Sequence, residues 1–162
     1  VNLSHFSSKP LESLRSVTQG WDDDYRSCYA KPKGLWVSVD GEDDWPSWCE
    51  SESFGLGQIR HRVILQEDHN VLLITSEEAL RAFSKEWQRF DNEAMNRVYR
   101  LKHGYIDWPG LAAAYDGLII APYIWQCRFD LNWYYGWDCA SGCIWHAGAI
   151  ASVAVMTEAK AA

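Results

Sequence analysis

Two carboxylates in the C-terminal third of the chain have surroundings that suit chemistry. Asp138 lies in Trp137-Asp138-Cys139-Ala140-Ser141-Gly142, and Asp130 lies upstream of it. An acid set among aromatic side chains is partly desolvated and oriented, as a catalytic carboxylate must be. The structural alternative for Asp138 is a turn residue bonding to its own backbone. Asp130 is a second candidate for the same task, and Ser141 joins them as a catalytic candidate with a turn role as its alternative. Trp36, in Gly34-Leu35-Trp36-Val37-Ser38-Val39, offers a flat face that suits a flat cationic ring. Its alternative is a core Trp on a half-buried strand; Ser38 places a hydroxyl near the same ring. Cys139-x3-Cys143-x2-His146, with Cys127 upstream, is a set zinc accepts. It lacks a tight Cys-x2-Cys pair, and Cys143 falls in an apolar run. Buried free thiols and no bound metal are therefore the expectation.

These residues need elements to hold them. Residues 2–6 read as a first strand. Ser7-Ser8-Lys9-Pro10 reads as a helix start, with Leu11, Leu14 and Val17 on one face and Gly20 as the stop. Residues 20–33 read as loop, and Gly34 to Val39 as a strand turned by Asp40-Gly41. Residues 44–52 could form a short helix. Residues 60–66 and 70–75 read as strands around a polar turn. Thr75-Ser76-Glu77-Glu78 reads as a capping box, ahead of a helix with Leu80, Phe83, Trp87 and Phe90 on its apolar face. Asp107-Trp108-Pro109 starts another helix, and Tyr115-Asp116-Gly117 turns into a buried strand at 118–121. Residues 123–137 are aromatic and ambiguous. Cys143 to Trp145 reads as a strand, and the tail from Val153 is expected to fray. Strands and helices intersperse without a βαβ rhythm, which favours α+β and one domain over residues 1–162.

The order of these pieces resembles the ADP-ribosyltransferase fold. The segments that carry the resemblance are Leu3-Ser4-His5-Phe6-Ser7, then Gly34-Leu35-Trp36-Val37-Ser38, then Tyr115-Asp116-Gly117-Leu118-Ile119-Ile120. The resemblance implies a split two-sheet core with a central cleft and flanking helices. It implies NAD as cofactor, held by His5, Phe6, Ser7, Trp36 and Ser38, and transfer of ADP-ribose to a macromolecular acceptor. His5 would bond the adenosine ribose, Ser7 would help hold a ribose, and Trp36 would stack on nicotinamide. Each has a structural alternative: a strand-edge His, a helix-cap Ser, a core Trp. The chain departs from the family twice. The stacking aromatic is usually Tyr, and the acid that usually opens the final strand is replaced by Ser141, leaving Asp138 and Asp130 as the nearest carboxylates. Proteins of this kind are often toxins, defence effectors or phage-borne modifiers, some with a neutralising partner protein. The competing reading is a non-catalytic module whose Trp-rich groove holds a nucleotide or a sugar.

Bulk properties narrow the classes. Hydrophobic residues at 48% and charged residues at 23% are near the globular average, which argues against disorder. A net charge of −7 argues against a broad phosphate-binding surface, though not against a nucleic acid read in a small pocket. The acidic runs Asp22-Asp23-Asp24 and Glu42-Asp43-Asp44 read as solvated loops. No apolar run approaches the ~20 residues that span a bilayer. The first residues lack the pattern of a secretory leader, although the chain begins at Val1 without Met, which leaves a removed leader open. Five cysteines cannot all pair within one chain, so reduced thiols in a cytoplasmic monomer are expected. Most of the ten Trp are expected to serve a core, and a few to stack on a ring or sugar.

Overall fold

The computed structural model describes residues 1–20, 30–91 and 104–156. Along the chain it forms β1 (Leu3–Ser7), β2 (Leu35–Val39), α1 (Trp45–Ser51), β3 (Ile59–Leu65), β4 (Val71–Ile74) and α2 (Glu77–Trp87). Then follow β5 (Gln88–Arg89), β6 (Tyr105–Ile106), α3 (Trp108–Ala114), β7 (Gly117–Ile120), β8 (Ser141–Ile144) and β9 (Ile150–Val155). The class is α+β, as expected.

Seven strands pair in the order β4-β7-β8-β2-β1-β3-β9, and β5 and β6 form a separate ribbon. The expected split into two small sheets is corrected by this pairing. β2 bonds to β1 on one side and to β8 on the other, so the ladder has no break where the cleft was to lie. β4 and β7 run parallel, which requires a long crossover, and α2 and α3 lie within it.

The sheet must curl, for a reason of chain length. β3 and β4 are consecutive in sequence, yet five strand spacings separate them in the sheet order. Laid flat, that separation is about 24 Å. The chain from Leu65 to Val71 spans at most about 21 Å even when fully extended. The two ends of the sheet are therefore drawn toward each other. The result is a deep groove on one side, lined by Leu3, Val63, Leu65, Val71 and Ile119.

Helix starts follow local chemistry. Asp44 caps α1 by accepting from the Ser47 N–H at 3.0 Å, with Pro46 in the first turn. Asp107 caps α3 in the same way from Gly110, at 2.8 Å. In α2 the cap is Ser76, whose hydroxyl accepts from Ala79, one residue later than the Thr75 box expected from sequence. Leu80 and Phe83 of α2 are buried, while Phe90 lies past the helix end and is exposed.

The helix expected after Pro10 is absent: residues 11–20 have no regular structure. Their backbone and polar groups bond elsewhere. Val17 N–H donates to the Trp145 carbonyl at 2.8 Å, and the Gln19 amide bonds both the N–H and the carbonyl of Lys33. A helix this short is marginal alone, and Ser13, Ser16, Val17 and Thr18 are mediocre formers, so tertiary bonds win. The expected fraying from Val153 is also corrected, since Val153 to Val155 pair with β3; residues 157–162 lie outside the described residues.

The ambiguous aromatic stretch supplies the core. Trp108, Trp133, Tyr134 and Trp137 are each at most 2% exposed and pack ring on ring, with Trp108 and Trp137 stacked at 6.4 Å. Two short 3-10 turns, Trp125–Cys127 and Tyr134–Gly136, bring those rings inward. Among the described residues, no helix is long and apolar enough to cross a membrane.

Candidate functional site

A cavity of about 360 Å³ opens over the middle of the sheet. Its walls include Ser4, His5 and Phe6 of β1, Trp36, Val37 and Ser38 of β2, Ser141 of β8, and Lys31, Trp45, Asp138 and Cys139 from flanking loops and the start of α1. Strand register explains the floor. Ser4 lies opposite Ser38, and Ser38 lies opposite Ser141, which sets three buried hydroxyls in a row across β1, β2 and β8. Each hydroxyl is engaged. Ser4 accepts from Arg60 Nε, Ser38 accepts from the Trp45 N–H, and Ser141 donates to the Cys139 carbonyl, all at 2.9 Å.

His5 has a defined tautomer. Its Nδ1 is 2.7 Å from the Trp36 carbonyl oxygen, which can only accept. The proton therefore sits on Nδ1, and Nε2 keeps a lone pair. Burial lowers the His5 pKa below the usual 6.5; the Trp36 carbonyl partly opposes this, and the nearby His61 pushes it down again. The side chain is thus a neutral acceptor at neutral pH, suited to a ligand hydroxyl.

Trp36 is braced from behind by Trp137, ring centroids 4.8 Å apart. Trp137 in turn donates from its indole to the Ser141 carbonyl at 3.3 Å. One buried ring thus fixes the Trp36 face, the start of β8 and, through the chain, Asp138. Over the Trp36 ring, at 5.4 Å from its centre, sits the Lys31 ammonium. The same ammonium lies 3.4 Å from Asp138 Oδ2. A cation already occupies the space between the aromatic face and the carboxylate, where a ligand cation would be attracted.

Cys139 faces this cavity, but burial pushes its thiol up to about 11, so it remains protonated and weakly nucleophilic at neutral pH. The four described cysteines are free and buried; Cys28 lies outside the described residues. Cys127, Cys139, Cys143 and His146 do not gather into a metal-binding group.

Of the candidates named from the sequence, His5, Phe6, Trp36, Ser38, Asp138 and Ser141 line one cavity. Two candidates are corrected. Asp130 is not among the lining residues: it is over half exposed and pairs with Arg81 of α2 at 2.6 Å, because the turn after Cys127 carries it to that helix. Ser7 is also outside the cavity, and its hydroxyl donates to the Lys9 carbonyl at 2.6 Å, a local turn bond. The buried strand expected at 118–121 does not line the cavity either. Lys31, Trp45 and Ser4 were missed. Ser4 carried a signal, the pairing of β1 with β2, but Lys31 sits in a stretch whose sequence reads only as loop.

Comparison with protein-family models, with curated proteins and with solved structures returns no match to this chain.

Proposed function

We propose that the chain transfers ADP-ribose from NAD to a macromolecular acceptor, using a site like that of ADP-ribosyltransferases on a continuous curled sheet. The observation that carries this reading is the convergence of His5, Trp36 and Asp138 on one cavity. In the reaction, nicotinamide leaves the ribose carbon as that carbon gains cationic character, much as in glycoside cleavage. Trp36 offers a flat face to the nicotinamide ring. His5 Nε2 accepts from a ribose hydroxyl, and Ser38 and Ser141 hold polar groups at the floor. Asp138 places negative charge beside the developing cation.

The timing of charge gives the test. A carboxylate that acts on the developing cation matters most in the transition state, whereas a stacking ring touches the ligand before and during departure. Asp138→Ala should cut nicotinamide release on the order of 10²-fold or more while leaving NAD binding nearly intact. Trp36→Ala should mainly weaken binding. Purified protein, assayed with and without cell lysate, that releases no nicotinamide would sink the proposal.

Two observations favour the competing reading of a non-catalytic nucleotide- or sugar-binding module. Asp138 is ion-paired to Lys31, and Ser141 stands where the resemblance expects an acid. That module would bind the ligand and leave the glycosidic bond intact, with Asp138→Ala changing no rate.

A further inference from the structure

The aromatic stretch that builds the core turns three rings the other way. Trp125, Phe129 and Tyr135 are 55%, 78% and 47% exposed, whereas Trp133, Tyr134 and Trp137 of the same stretch are buried. The inward rings are explained by the core; the outward ones are not. Clustered exposed apolar surface commonly marks a contact site. Phe129 and Tyr135 lie 6.0 Å apart, centre to centre. Between the rings sits Arg128, its guanidinium carbon 5.3 Å from the centre of Tyr135 and 5.9 Å from that of Trp125. It is fixed by donating to the Tyr123 hydroxyl at 2.7 Å. Among the described residues no carboxylate pairs with it.

This patch adjoins the cavity on the Asp138 side. The Trp125 indole donates to the Asp43 carboxylate at 3.3 Å, and the Asp43 carbonyl accepts from Ala140, whose neighbours Cys139 and Ser141 line the cavity. A Cβ added at Gly136, next to Tyr135, would lie 3.2 Å from Lys31 Cε, so the stem of Lys31, which holds Asp138, runs close by.

We propose that Trp125, Arg128, Phe129 and Tyr135 are the acceptor subsite, and that the acceptor is an unpaired nucleotide of a single-stranded nucleic acid. The inference rests on the NAD reading of the adjoining cavity. Flat exposed rings match nucleobases, and an unpaired guanidinium among them matches a phosphate. A base can reach those rings only when it is free of a duplex stack. The net charge of −7 limits the contact to one or a few phosphates, which excludes a long duplex footprint. A basic peptide would find Asp43 and Asp138 but leave the Arg128 guanidinium without a partner, and an acidic peptide would use Arg128 but leave the rings without flat partners. In the transfer, the bond from ribose C1′ to nicotinamide breaks and its electron pair leaves with neutral nicotinamide. A nitrogen or oxygen of the nucleotide forms the new bond to C1′, and its proton passes to Asp138 and then to solvent.

The test uses the full chain and labelled 12-mers of single-stranded RNA, single-stranded DNA and duplex DNA, read by fluorescence anisotropy without NAD. Either single strand should bind better than the duplex, and the stronger of the two names the source. The salt slope of log K should be shallow, about −0.7 for each phosphate engaged. Phe129→Ala/Tyr135→Ala should weaken single-strand binding by about ten-fold or more. Both side chains are exposed, so its thermal midpoint should stay near that of the parent, and Arg128→Gln gives an independent second variant. Equal or better binding of duplex, no binding of any oligomer, or unchanged affinity in both variants would overturn the inference. So would labelling from NAD that goes to a lysate protein and not to the oligomers. Nicotinamide release by the parent chain is read alongside: release without single-strand binding sinks the acceptor subsite alone, and binding without release sinks the NAD reading and with it the acceptor role, leaving a single-strand binding patch.

Discussion

Lys31 stands where a cationic ligand ring would bind, and its removal gives a sharp test of the site. Its ammonium lies 3.4 Å from Asp138 and 5.4 Å from the centre of the Trp36 ring. The Lys31 and Asp138 side chains are 40% and 27% exposed, so water screens the pair. Exposed pairs of this kind contribute about 0.2–1 kcal/mol. An exposed cation over an aromatic face adds about 0.5–1 kcal/mol. A cation that takes this place must first displace Lys31, at a cost of roughly 0.7–2 kcal/mol by the sum of those two ranges. Lys31→Met removes that cost and keeps most of the stem. It should tighten binding of the 1-methylnicotinamide cation by about 3- to 30-fold, at 1.4 kcal/mol per tenfold. Neutral nicotinamide should respond much less, and the difference should shrink in high salt. Calorimetric titration of both ligands against both proteins reads the effect. Unchanged or weaker binding of the cation to Lys31→Met would refute the reasoning and mean that Lys31 contributes attraction instead of occupying the site.

Three further outcomes follow from the geometry. His5 has a lowered pKa in the fold, so between that value and the usual 6.5 the unfolded chain binds more protons. Its contribution to stability is therefore complete above 6.5 and is lost as pH falls below it; a His5 titration midpoint at or above 6.5 by NMR would contradict this. Gly142→Ala would set a Cβ into the Leu118 carbonyl oxygen and 2.8 Å from Ile119 Cα, backbone that the paired strand cannot easily move. It should cost about 1–3 kcal/mol or more and lower the thermal midpoint by several degrees, whereas Gly41→Ala, with open space around it, should not; equal midpoints would refute the packing argument. Trp137→Ala empties a fully buried ring site and should destabilise by about 3–5 kcal/mol, measured by denaturant titration. A loss under about 1 kcal/mol would show that Trp137 does not brace Trp36 and β8 as described.

Much of the local structure was legible in the chain. The helix start at Asp107, the short helix within 44–52, the apolar face of α2 and the strands around Trp36 and Leu118 depend on neighbouring residues, so short-range pattern reports them. The stretch at 11–20 misled because its pattern suits a helix while its hydrogen bonds go to Trp145, Lys33 and His61, partners far away in sequence. Asp130 and Asp138 look alike as acids in an aromatic stretch, yet one turn after Cys127 sends the first to Arg81 and the second to the cavity. Residue types alone determined that His5, Trp36 and an acid were available, and local periodicity determined which strands carry the first two. Only the tertiary structure decided that β1, β2 and β8 are adjacent, which aligns Ser4, Ser38 and Ser141 and brings Lys31 between Trp36 and Asp138. The reason is physical: strand order and the curl between β3 and β4 are set by how the whole chain buries its rings and closes its ladders, a sum over distant contacts that no short window of sequence contains.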